Sequence, residues 1–522
     1  MWFGYGREAF TKGFSMLNLA HFLQENAEKF PASTAVMLDQ YLLTYEQLAL
    51  YVRKVAGALR SRGIQRGDRV AMMIPNTPHF PIIYYGILHA GAVVVPVNVL
   101  FQYEEIRHYL QDSGAKAFFA FKMFEEQARR AVEASPECAH FIVVSSPDDL
   151  EVPGNGENFN LFLAGGEDAD IAVTSPDDTA LILYTSGTTG APKGAELTHF
   201  NMFFNAYYSA RDIVCSGPGD VVLVTLPLFH SFGQTCLMNA GIISGATLTM
   251  LPRFETEKVM QIIDRDRVTI VAMVPTMYFF ILNFPDWQRY DLSSIRIAVS
   301  GGAALPEDVH RRFKERYGIT LLEGYGLSET SPVASFTLPG QEVRVGSIGK
   351  PIWGVQMRIR RDDGSFAPPG EVGEIVIRGH NVMKGYHNNS RATASAIIDG
   401  WFLTGDIGKM DEDGYFYILD RKKDIIIRGG MNIYPREIEE VLYRHPKVRE
   451  ASVVGVPDEA RGEEVKAYVS PATGETLTPE EVMEYLKEHI ARYKWPKEVV
   501  VLEDLPKGPT GKILKRELKM RY

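Results

Sequence analysis

The sequence predicts an α/β protein with a large N-terminal domain of doubly wound α/β subdomains plus a β-rich subdomain, followed by a small C-terminal α+β domain. Length is the first indication, because 522 residues exceed what one hydrophobic core usually supports. The second is a series of Val-, Ile- and Leu-rich runs that alternate with helix-like segments. The third is a change in the residue pattern, first to short strands and turns after Pro332 and then to charged segments from Asp420.

Two long stretches, residues 70–103 and 221–252, contain no Asp, Glu, Lys or Arg. Prolines and glycines interrupt both, which argues against membrane-spanning helices. Each divides instead into a strand, a helix and a strand, with the predicted bounds 70–74, 78–89 and 92–97 in the first stretch and 221–225, 232–243 and 247–251 in the second. Such runs are typical of parallel strands that are buried on both faces.

Three further strands are predicted downstream, at residues 268–274, 295–300 and 321–322. Each ends in a polar or glycine-rich segment. In open α/β sheets, ligands bind beyond the carboxyl ends of the strands. We therefore expect these segments to line one cleft.

The predicted domain boundaries follow the changes in the residue pattern. The large domain covers residues 1–419, and its β-rich subdomain about residues 332–419. The small domain covers residues 420–522, with helices predicted at 435–442 and 479–490. Residues before Met16 are interpreted as an N-terminal extension.

Composition excludes several classes of protein. A net charge of −10 argues against nucleic acid as a partner. The three cysteines form no CxxC pair, which disfavours a disulfide framework or structural zinc and favours a reducing compartment. No apolar signal segment is visible at the N-terminus, so we expect cytoplasmic residence.

The stretch YTSGTTGAPKG at residues 184–194 follows a short apolar run. Glycines let backbone N–H groups turn inward, hydroxyls add donors and Lys193 adds positive charge, which together suit a polyphosphate. A Walker loop needs Gly-Lys-Ser/Thr after four intervening residues, and that spacing is absent. A flexible Ser/Gly linker is the alternative, although linkers rarely follow a buried strand.

Four more motifs follow in order: GYGLSET at 324–330, GWFLTGD at 400–406, LDRKKD at 419–424 and PKGPTGK at 506–512. Together with the loop at 184–194 they resemble the adenylate-forming superfamily, which includes acyl- and aryl-CoA synthetases, luciferases and the adenylation domains of peptide synthetases. The resemblance is greatest to long-chain fatty acid–CoA ligases. It covers nearly the whole chain from about Leu17.

The resemblance implies an AMP-forming acyl-CoA synthetase that works in two half-reactions. A carboxylate attacks the α-phosphate of ATP to give acyl-AMP and pyrophosphate, and the CoA thiol then displaces AMP. Because the carboxylate is already a nucleophile, catalysis rests on positioning and on neutralising charge. ATP, Mg2+ and the cosubstrate CoA are therefore the expected ligands, besides the acid.

The resemblance also assigns candidate site residues. Lys193 and the loop would hold the β- and γ-phosphates, while Thr185 and Glu329 would hold Mg2+. Tyr325 would stack on adenine, and Asp406 and Arg421 would bind the ribose. The remaining loop and pocket positions that are expected to contact the nucleotide are Ser186, Gly187, Thr188, Thr189, Gly190, Gly301, Gly302, Glu323, Gly324, Gly326 and Ser328.

Lys512 is the residue expected to bridge the substrate carboxylate and the α-phosphate. It lies in the small domain, so the resemblance implies a mobile domain that first brings Lys512 to the site. The domain then rotates about a hinge near Lys423 and presents Gly429 and Gly430 to the pantetheine arm of CoA. His230 is expected at the carboxylate end of the acyl site.

The motifs are shared by ligases of several acids, so they do not identify the acid that is the substrate. Aromatic residues at helical spacing, Phe203, Phe204, Tyr207 and Tyr208, form either part of an acyl channel or ordinary core. A tryptophan that gates the acyl tunnel in some long-chain ligases is absent at the matching place. We expect a fatty acid; an aryl, short-chain or dicarboxylic acid and a non-catalytic ATP- or acyl-binding protein are the alternatives. A homodimer and loose association with a membrane fit this interpretation.

Overall fold

The computed structural model describes residues 16–146, 148, 149, 151, 154–185, 192–472, 474–508 and 513–521. The first strands are β1 (Thr34–Leu38), β2 (Tyr41–Thr44), β3 (Arg69–Met73), β4 (Val93–Pro96), β5 (Ala117–Phe121), β6 (His140–Val144), β7 (Glu157–Asn158), β8 (Thr179–Thr185), β9 (Lys193–Thr198), β10 (Val221–Val224), β11 (Thr247–Met250), β12 (Ile270–Met273), β13 (Ile297–Ser300), β14 (Leu321–Gly326), β15 (Val333–Phe336) and β16 (Lys350–Pro351). The α-helices among them are α1 (His21–Lys29), α2 (Tyr45–Ser61), α3 (His79–His89), α4 (Tyr103–Ser113), α5 (Glu125–Glu133), α6 (Phe159–Ala164), α7 (His199–Tyr208), α8 (Ala240–Ser244), α9 (Thr256–Asp266), α10 (Pro275–Leu282) and α11 (Glu307–Tyr317).

The rest of the chain is richer in strands. Its elements are β17 (Val355–Arg360), β18 (Gly373–Gly379), β19 (Gly385–Tyr386), α12 (Ser390–Ala396), β20 (Ile397–Ile398), β21 (Trp401–Met410), β22 (Phe416–Arg421), β23 (Ile426–Arg428), β24 (Met431–Ile433), α13 (Pro435–Tyr443), β25 (Val448–Asp458), β26 (Gly462–Pro471), α14 (Pro479–His489), β27 (Glu498–Val501) and α15 (Lys515–Arg521). Short 3-10 helices lie at Lys122–Phe124, Trp287–Arg289, Ser328–Thr330 and Arg492–Lys494, and π-helical segments at Ser209–Ile213 and Phe232–Asn239.

Two large sheets form the first part of the molecule. One has the strand order β16-β15-β14-β13-β12-β10-β11-β1-β2, and the other the order β19-β9-β8-β4-β3-β5-β6-β7. Their central strands run parallel, as in the pairs β3–β4, β10–β11 and β12–β13. The predicted buried parallel strands are thus confirmed, since Val70, Val94 and Leu248 are all fully buried.

Several helices begin at residues that supply capping groups. Thr44 Oγ1 accepts a hydrogen bond from the backbone N–H of Gln47 at the start of α2, and the Gln47 side-chain oxygen accepts one from the Thr44 N–H, which forms a capping box. Thr198 and Asn201 do the same for α7. One apolar cluster connects the two large sheets, and a second cluster lies between the sheet that contains β3 and β5 and the helices α4 and α5.

The segment after Leu322 differs from its predicted form. The strand is predicted to end at Leu322, but β14 continues to Gly326 and pairs antiparallel with β15. The pairing requires small residues, because a Cβ on Gly324 would lie 2.2 Å from the Phe336 ring and one on Gly326 would lie 2.0 Å from the Pro332 carbonyl oxygen. The candidate adenine-binding residues are therefore held in a strand.

A second difference concerns the predicted helix at 232–243. Its first part, Phe232–Asn239, is π-helical, and only Ala240–Ser244 is α-helical. A π-helix bonds residue i to residue i+5, and apolar periodicity does not reveal this change of pitch.

Two five-stranded sheets complete the molecule. β17, β18, β21 and β20 with β22 form one, and β24, β23, β26 and β25 with β27 form the other. The predicted boundary at 419/420 lies within β22, the last strand of the first of these sheets. Contacts between the small domain and the large domain include an Arg444–Glu307 ion pair of 3.5 Å. In addition, Lys507 Nζ lies 5.6 Å from the centroid of the Phe280 ring. In the part of the chain described, no helix has the length and apolar character needed to cross a bilayer.

Candidate active site

The β8–β9 hairpin closes the loop that the sequence singles out. Thr185 at the end of β8 pairs with Lys193 at the start of β9. The hairpin therefore places a hydroxyl and an ammonium group side by side at the base of the loop. The predicted phosphate contacts Ser186, Gly187, Thr188, Thr189 and Gly190 lie outside the described residues.

Glu329 meets this hairpin from the 3-10 helix Ser328–Thr330. Its Oε1 accepts hydrogen bonds from Thr185 Oγ1 at 3.0 Å and from Tyr386 Oη at 3.1 Å. The residue is only 8% exposed. The structure thus brings together the two residues that the resemblance assigns to magnesium.

The donor set at Glu329 fits Mg2+. Carboxylate and hydroxyl oxygens are the ligands that this hard cation prefers, and nucleotide phosphates and water usually complete its shell. Among the described residues, Glu329 has hydroxyl partners only and forms no ion pair with a basic side chain. This buried acid therefore retains acceptor positions for a cation.

Tyr386 is a member of the site that the sequence does not reveal. Besides its bond to Glu329, its ring faces Lys193, with the Nζ at 5.3 Å from the ring centroid. It lies 57 residues from Glu329 in a two-residue strand, so only the tertiary structure shows the contact.

Asp406, Tyr325 and Arg421 form the other end of the site. Tyr325 Oη donates to Asp406 Oδ2, and Arg421 Nε lies 3.0 Å from Asp406 Oδ1. Asp406 and Arg421 are directly opposite one another in β21 and β22. Burial raises the pKa of Tyr325, so its hydroxyl keeps the proton that it donates. A carboxylate accepts about four hydrogen bonds, so Asp406 has positions left for ligand hydroxyls.

Glu323 lies deep in β14, and burial raises its pKa to about 7 although Arg436 of the small domain opposes the shift. Packing and backbone conformation explain the nearby glycines Gly301 and Gly302 without a ligand. A Cβ on Gly301 would lie 3.1 Å from the Phe232 ring, and Gly302 has a φ of +78°. Nucleotide contacts by these glycines, and by Gly324 and Gly326, remain predictions.

His230 precedes the π-helical segment and is close to the Glu329 turn. The neighbouring Ser231 Oγ lies 3.4 Å from Ser328 Oγ. Burial lowers the pKa of His230 to about 4, and its buried Nε2 has no hydrogen-bond partner in the described structure. The ring is therefore neutral near pH 7 and has a nitrogen free for a ligand.

The helix α7 packs beside the π-helical segment, with Ser209 Oγ 3.9 Å from Cys236 Sγ just beyond its end. Its predicted acyl-site aromatics also pack elsewhere. Phe203 stacks on Phe22 at a centroid distance of 5.0 Å, and Phe204 lies 4.2 Å from the ring of His380. Phe203, Phe204 and Tyr208 are partly buried, whereas Tyr207 is 39% exposed, so the prediction of ordinary core is wrong for Tyr207.

Arg421 is a small-domain residue that belongs to the group around Asp406, whereas the later candidates that the structure describes are on the surface. Lys423, Gly429 and Gly430 are exposed, and the Gly429 N–H donates to the Arg461 carbonyl at 2.8 Å. Lys512 lies outside the described residues. Lys507 and Ile513 pair with one another on either side of residues 509–512, and the Lys507 ammonium lies against the Phe280 ring of α10, so Lys507 contacts the large domain.

Comparison with known proteins assigns the chain to a family. Residues 23–387 match the model of the AMP-binding enzyme, and residues 437–512 match that of the AMP-binding enzyme C-terminal domain. The chain belongs to the AMP-binding enzyme family. Membership of the adenylate-forming superfamily and the predicted fold class are thereby confirmed, and this AMP-binding enzyme is an AMP-forming acid–CoA ligase.

Its relatives act on chemically different acids. A long-chain-fatty-acid–CoA ligase of Bacillus subtilis (strain 168) is 39% identical over 96% of this chain and 94% of that protein. A feruloyl-CoA synthase of an Amycolatopsis species is 38% identical over 95% and 97%. The solved structure of the anthranilate CoA ligase AuaEII in complex with anthranoyl-AMP superimposes with a TM-score of 0.91, at 27% identity, and the match covers 97% of both chains.

Proposed function

We propose that this ligase activates a fatty acid as acyl-AMP and transfers the acyl group to CoA. The observation that carries the proposal is the arrangement of two groups of side chains in one site. Lys193, Thr185 and Glu329 suit the pyrophosphate end of ATP, and Tyr325 and Asp406 suit its nucleoside end. The two groups are electrostatically linked, because the charges of Asp406 and Glu329 both act to raise the pKa of Arg421.

In the first half-reaction, one oxygen of the substrate carboxylate attacks the α-phosphorus and pyrophosphate leaves. Lys193 would balance charge on the β- and γ-phosphates, and Lys512 would bring the two anions together at the α-phosphate. Thr185 and Glu329 would hold Mg2+, which neutralises phosphate charge when it is bound. His230 is neutral, so it would orient the carboxylate by hydrogen bonding and not by charge.

In the second half-reaction, the CoA thiol attacks the acyl carbonyl and AMP leaves with the bridging oxygen. Lys512 must withdraw, and the exposed turn at Gly429 and Gly430 would replace it beside the pantetheine arm. Both glycines have positive φ, and a Cβ on either would meet nothing within 4 Å. A hinge near Lys423, which is exposed, would allow this rotation.

The choice of a fatty acid rests on the relatives named long-chain-fatty-acid–CoA ligases. The feruloyl-CoA and anthranilate CoA ligases support an aryl acid as the second candidate. Short-chain and dicarboxylic acids are further alternatives, because all of them require the same adenylation chemistry.

A panel of acids separates these substrates. CoA-dependent AMP formation should be measured with saturated acids of increasing length and with benzoate, ferulate and malonate. We expect kcat/KM for the best fatty acid to exceed that for benzoate and ferulate by at least about tenfold, which corresponds to about 1.4 kcal/mol of transition-state discrimination. An aryl acid at the top of the panel would contradict the proposal, and no AMP with any acid would favour a non-catalytic binding protein.

The proposal also includes cytoplasmic residence, a homodimer and loose association with a membrane. A lipid substrate is the physical reason for the last of these. Light scattering of the purified protein and co-sedimentation with phosphatidylglycerol vesicles test the second and third predictions, and a monomer or an absence of vesicle binding would contradict them.

A further inference from the structure

Residues 383–386 form backbone hydrogen bonds both to β9, the strand after the phosphate loop, and to the turn that carries Glu329. In this segment, Tyr386 of β19 pairs with Ala195 of β9. The Met383 N–H donates to the Glu329 carbonyl at 2.9 Å, so the same segment also holds the Glu329 turn. The backbone therefore fixes Tyr386 between the hairpin and the acid.

The side chain of Tyr386 lies between two opposite charges. Its hydroxyl donates to Glu329 Oε1 at 3.1 Å, and its ring faces the Lys193 ammonium at 5.3 Å from the centroid. An ammonium within about 6 Å of an aromatic centroid gains a cation–π attraction. Across the described residues, Lys193 and Glu329 do not approach within 4.0 Å of one another, so they form no direct ion pair.

A direct pair would interfere with nucleotide binding. Lys193 and Glu329 are the proposed ligands of a polyphosphate and of Mg2+, and a salt bridge between them would occupy both. ATP would then have to break that pair, which is costly in a partly buried site because neither charge is fully solvated. Tyr386 gives each group a weaker, neutral partner that a ligand displaces more easily.

We propose that Tyr386 is a positioning residue that keeps Lys193 and Glu329 apart before the nucleotide binds, so that both stay available to Mg2+·ATP. The hydroxyl bond to Glu329 and the ring contact with Lys193 are the two contacts that carry this role. The inference rests on the proposed roles of Lys193 and Glu329.

The test is a double-mutant cycle on binding. Calorimetry would give the Kd of Mg2+·ATP for wild type, Tyr386→Leu, Lys193→Met and the double variant. We expect Tyr386→Leu to raise the Kd by about tenfold in the wild-type background and to have little effect once Lys193 is Met. Tyr386→Phe, which keeps the ring, should have a smaller effect and should confirm that the fold tolerates a change at this position.

Tyr417 is a matched control. Its hydroxyl donates to Asp411 Oδ2 at 3.1 Å, and Lys409 Nζ lies 5.9 Å from its ring, which repeats the same arrangement on β21 and β22. Tyr417→Leu should leave the Kd of Mg2+·ATP unchanged. An unchanged Kd in Tyr386→Leu, or an equal rise with and without Lys193, would overturn the inference. A wild-type protein that does not bind Mg2+·ATP would overturn the proposed function instead.

Discussion

Glu323 is buried and His230 is partly buried near the proposed adenylate site, and loss of hydration shifts their pKa values in opposite directions. The pKa of His230 falls to about 4, and that of Glu323 rises to about 7. Both shifts favour the neutral form because a charge loses hydration when it is buried. At the residue scale, charge neutralisation of the substrates therefore falls on the lysines and not on His230.

Glu323 makes stability depend on pH. Its folded pKa of about 7 exceeds the ordinary value of 4.5, so the folded state binds the extra proton between these pH values. The stabilising contribution is complete below about pH 4.5, decreases as the pH rises and is lost above about pH 7, with a total of about 3 kcal/mol. We expect Glu323→Gln to flatten the fall of Tm from pH 5 to pH 8 relative to wild type. Parallel Tm profiles for the two proteins would contradict this assignment.

Asp406 gives a second residue-scale prediction. Asp406→Asn removes a charge that Arg421 and Tyr325 both contact, and with it the proposed acceptor for the ribose hydroxyls. A lost hydrogen bond to a charged group costs about 1.5–3 kcal/mol, so the KM for ATP should rise by about 10- to 100-fold. The KM for ATP can be measured from the rate of pyrophosphate release. Asp411→Asn, which alters an acid paired with Arg344 at 2.7 Å, is the control, and equal KM values for the two variants would refute the ribose role.

At the scale of single elements, the β14–β15 pair shows why the motif at 324–330 contains glycines. Gly324 and Gly326 permit close approach of a ring and of a carbonyl group, so the strand can continue beyond Leu322. The fold therefore requires these glycines independently of any ligand. The same strand carries Tyr325 and then turns into the 3-10 helix with Glu329.

Gly326→Ala tests this element. A Cβ would lie 2.0 Å from the Pro332 carbonyl oxygen, and backbone cannot move aside as easily as a side chain. Overpacking of this kind costs about 1–3 kcal/mol, so calorimetry should show a lower Tm. Gly217→Ala, where a Cβ would meet nothing within 4 Å, should leave the Tm nearly unchanged. A Tm for Gly326→Ala equal to that of wild type would contradict the packing argument.

The fold was predictable from local patterns, and most of the site from motifs. Buried strands such as β3 and β4 appear as uninterrupted apolar runs, and Thr185, Lys193 and Glu329 occur within motifs. Tyr386 was not predictable, because a lone tyrosine in a two-residue strand has no pattern of its own. The π-helical turn at Phe232–Asn239 was missed because α- and π-helices share the same apolar composition.

At the scale of the whole molecule, the rotation that we propose between the two half-reactions requires two placements of the small domain. The structure shows one, with Lys507 on Phe280 and Arg444 beside Glu307. An exposed ion pair such as Arg444–Glu307 contributes little to stability, so it would not prevent rotation.

Lys423→Pro tests the hinge, because proline fixes φ and restricts the preceding residue. We expect acid-dependent pyrophosphate release to persist in a single turnover, while acyl-CoA formation falls by at least about 100-fold, or about 2.7 kcal/mol. Lys423→Ala should retain both half-reactions. Equal losses of both half-reactions in the proline variant would contradict a hinge at this position.

If a fatty acid passes through acyl-AMP on its way to acyl-CoA, one oxygen of its carboxylate must end in AMP, and isotopic labelling detects this transfer. The wild-type protein should be supplied with ATP, Mg2+, CoA and a long-chain fatty acid that carries oxygen-18 in its carboxylate. Mass spectrometry should find one heavy oxygen in AMP, since the oxygen that attacks the α-phosphate leaves with it. Unlabelled AMP, or ADP with labelled inorganic phosphate, would contradict an acyl-AMP intermediate.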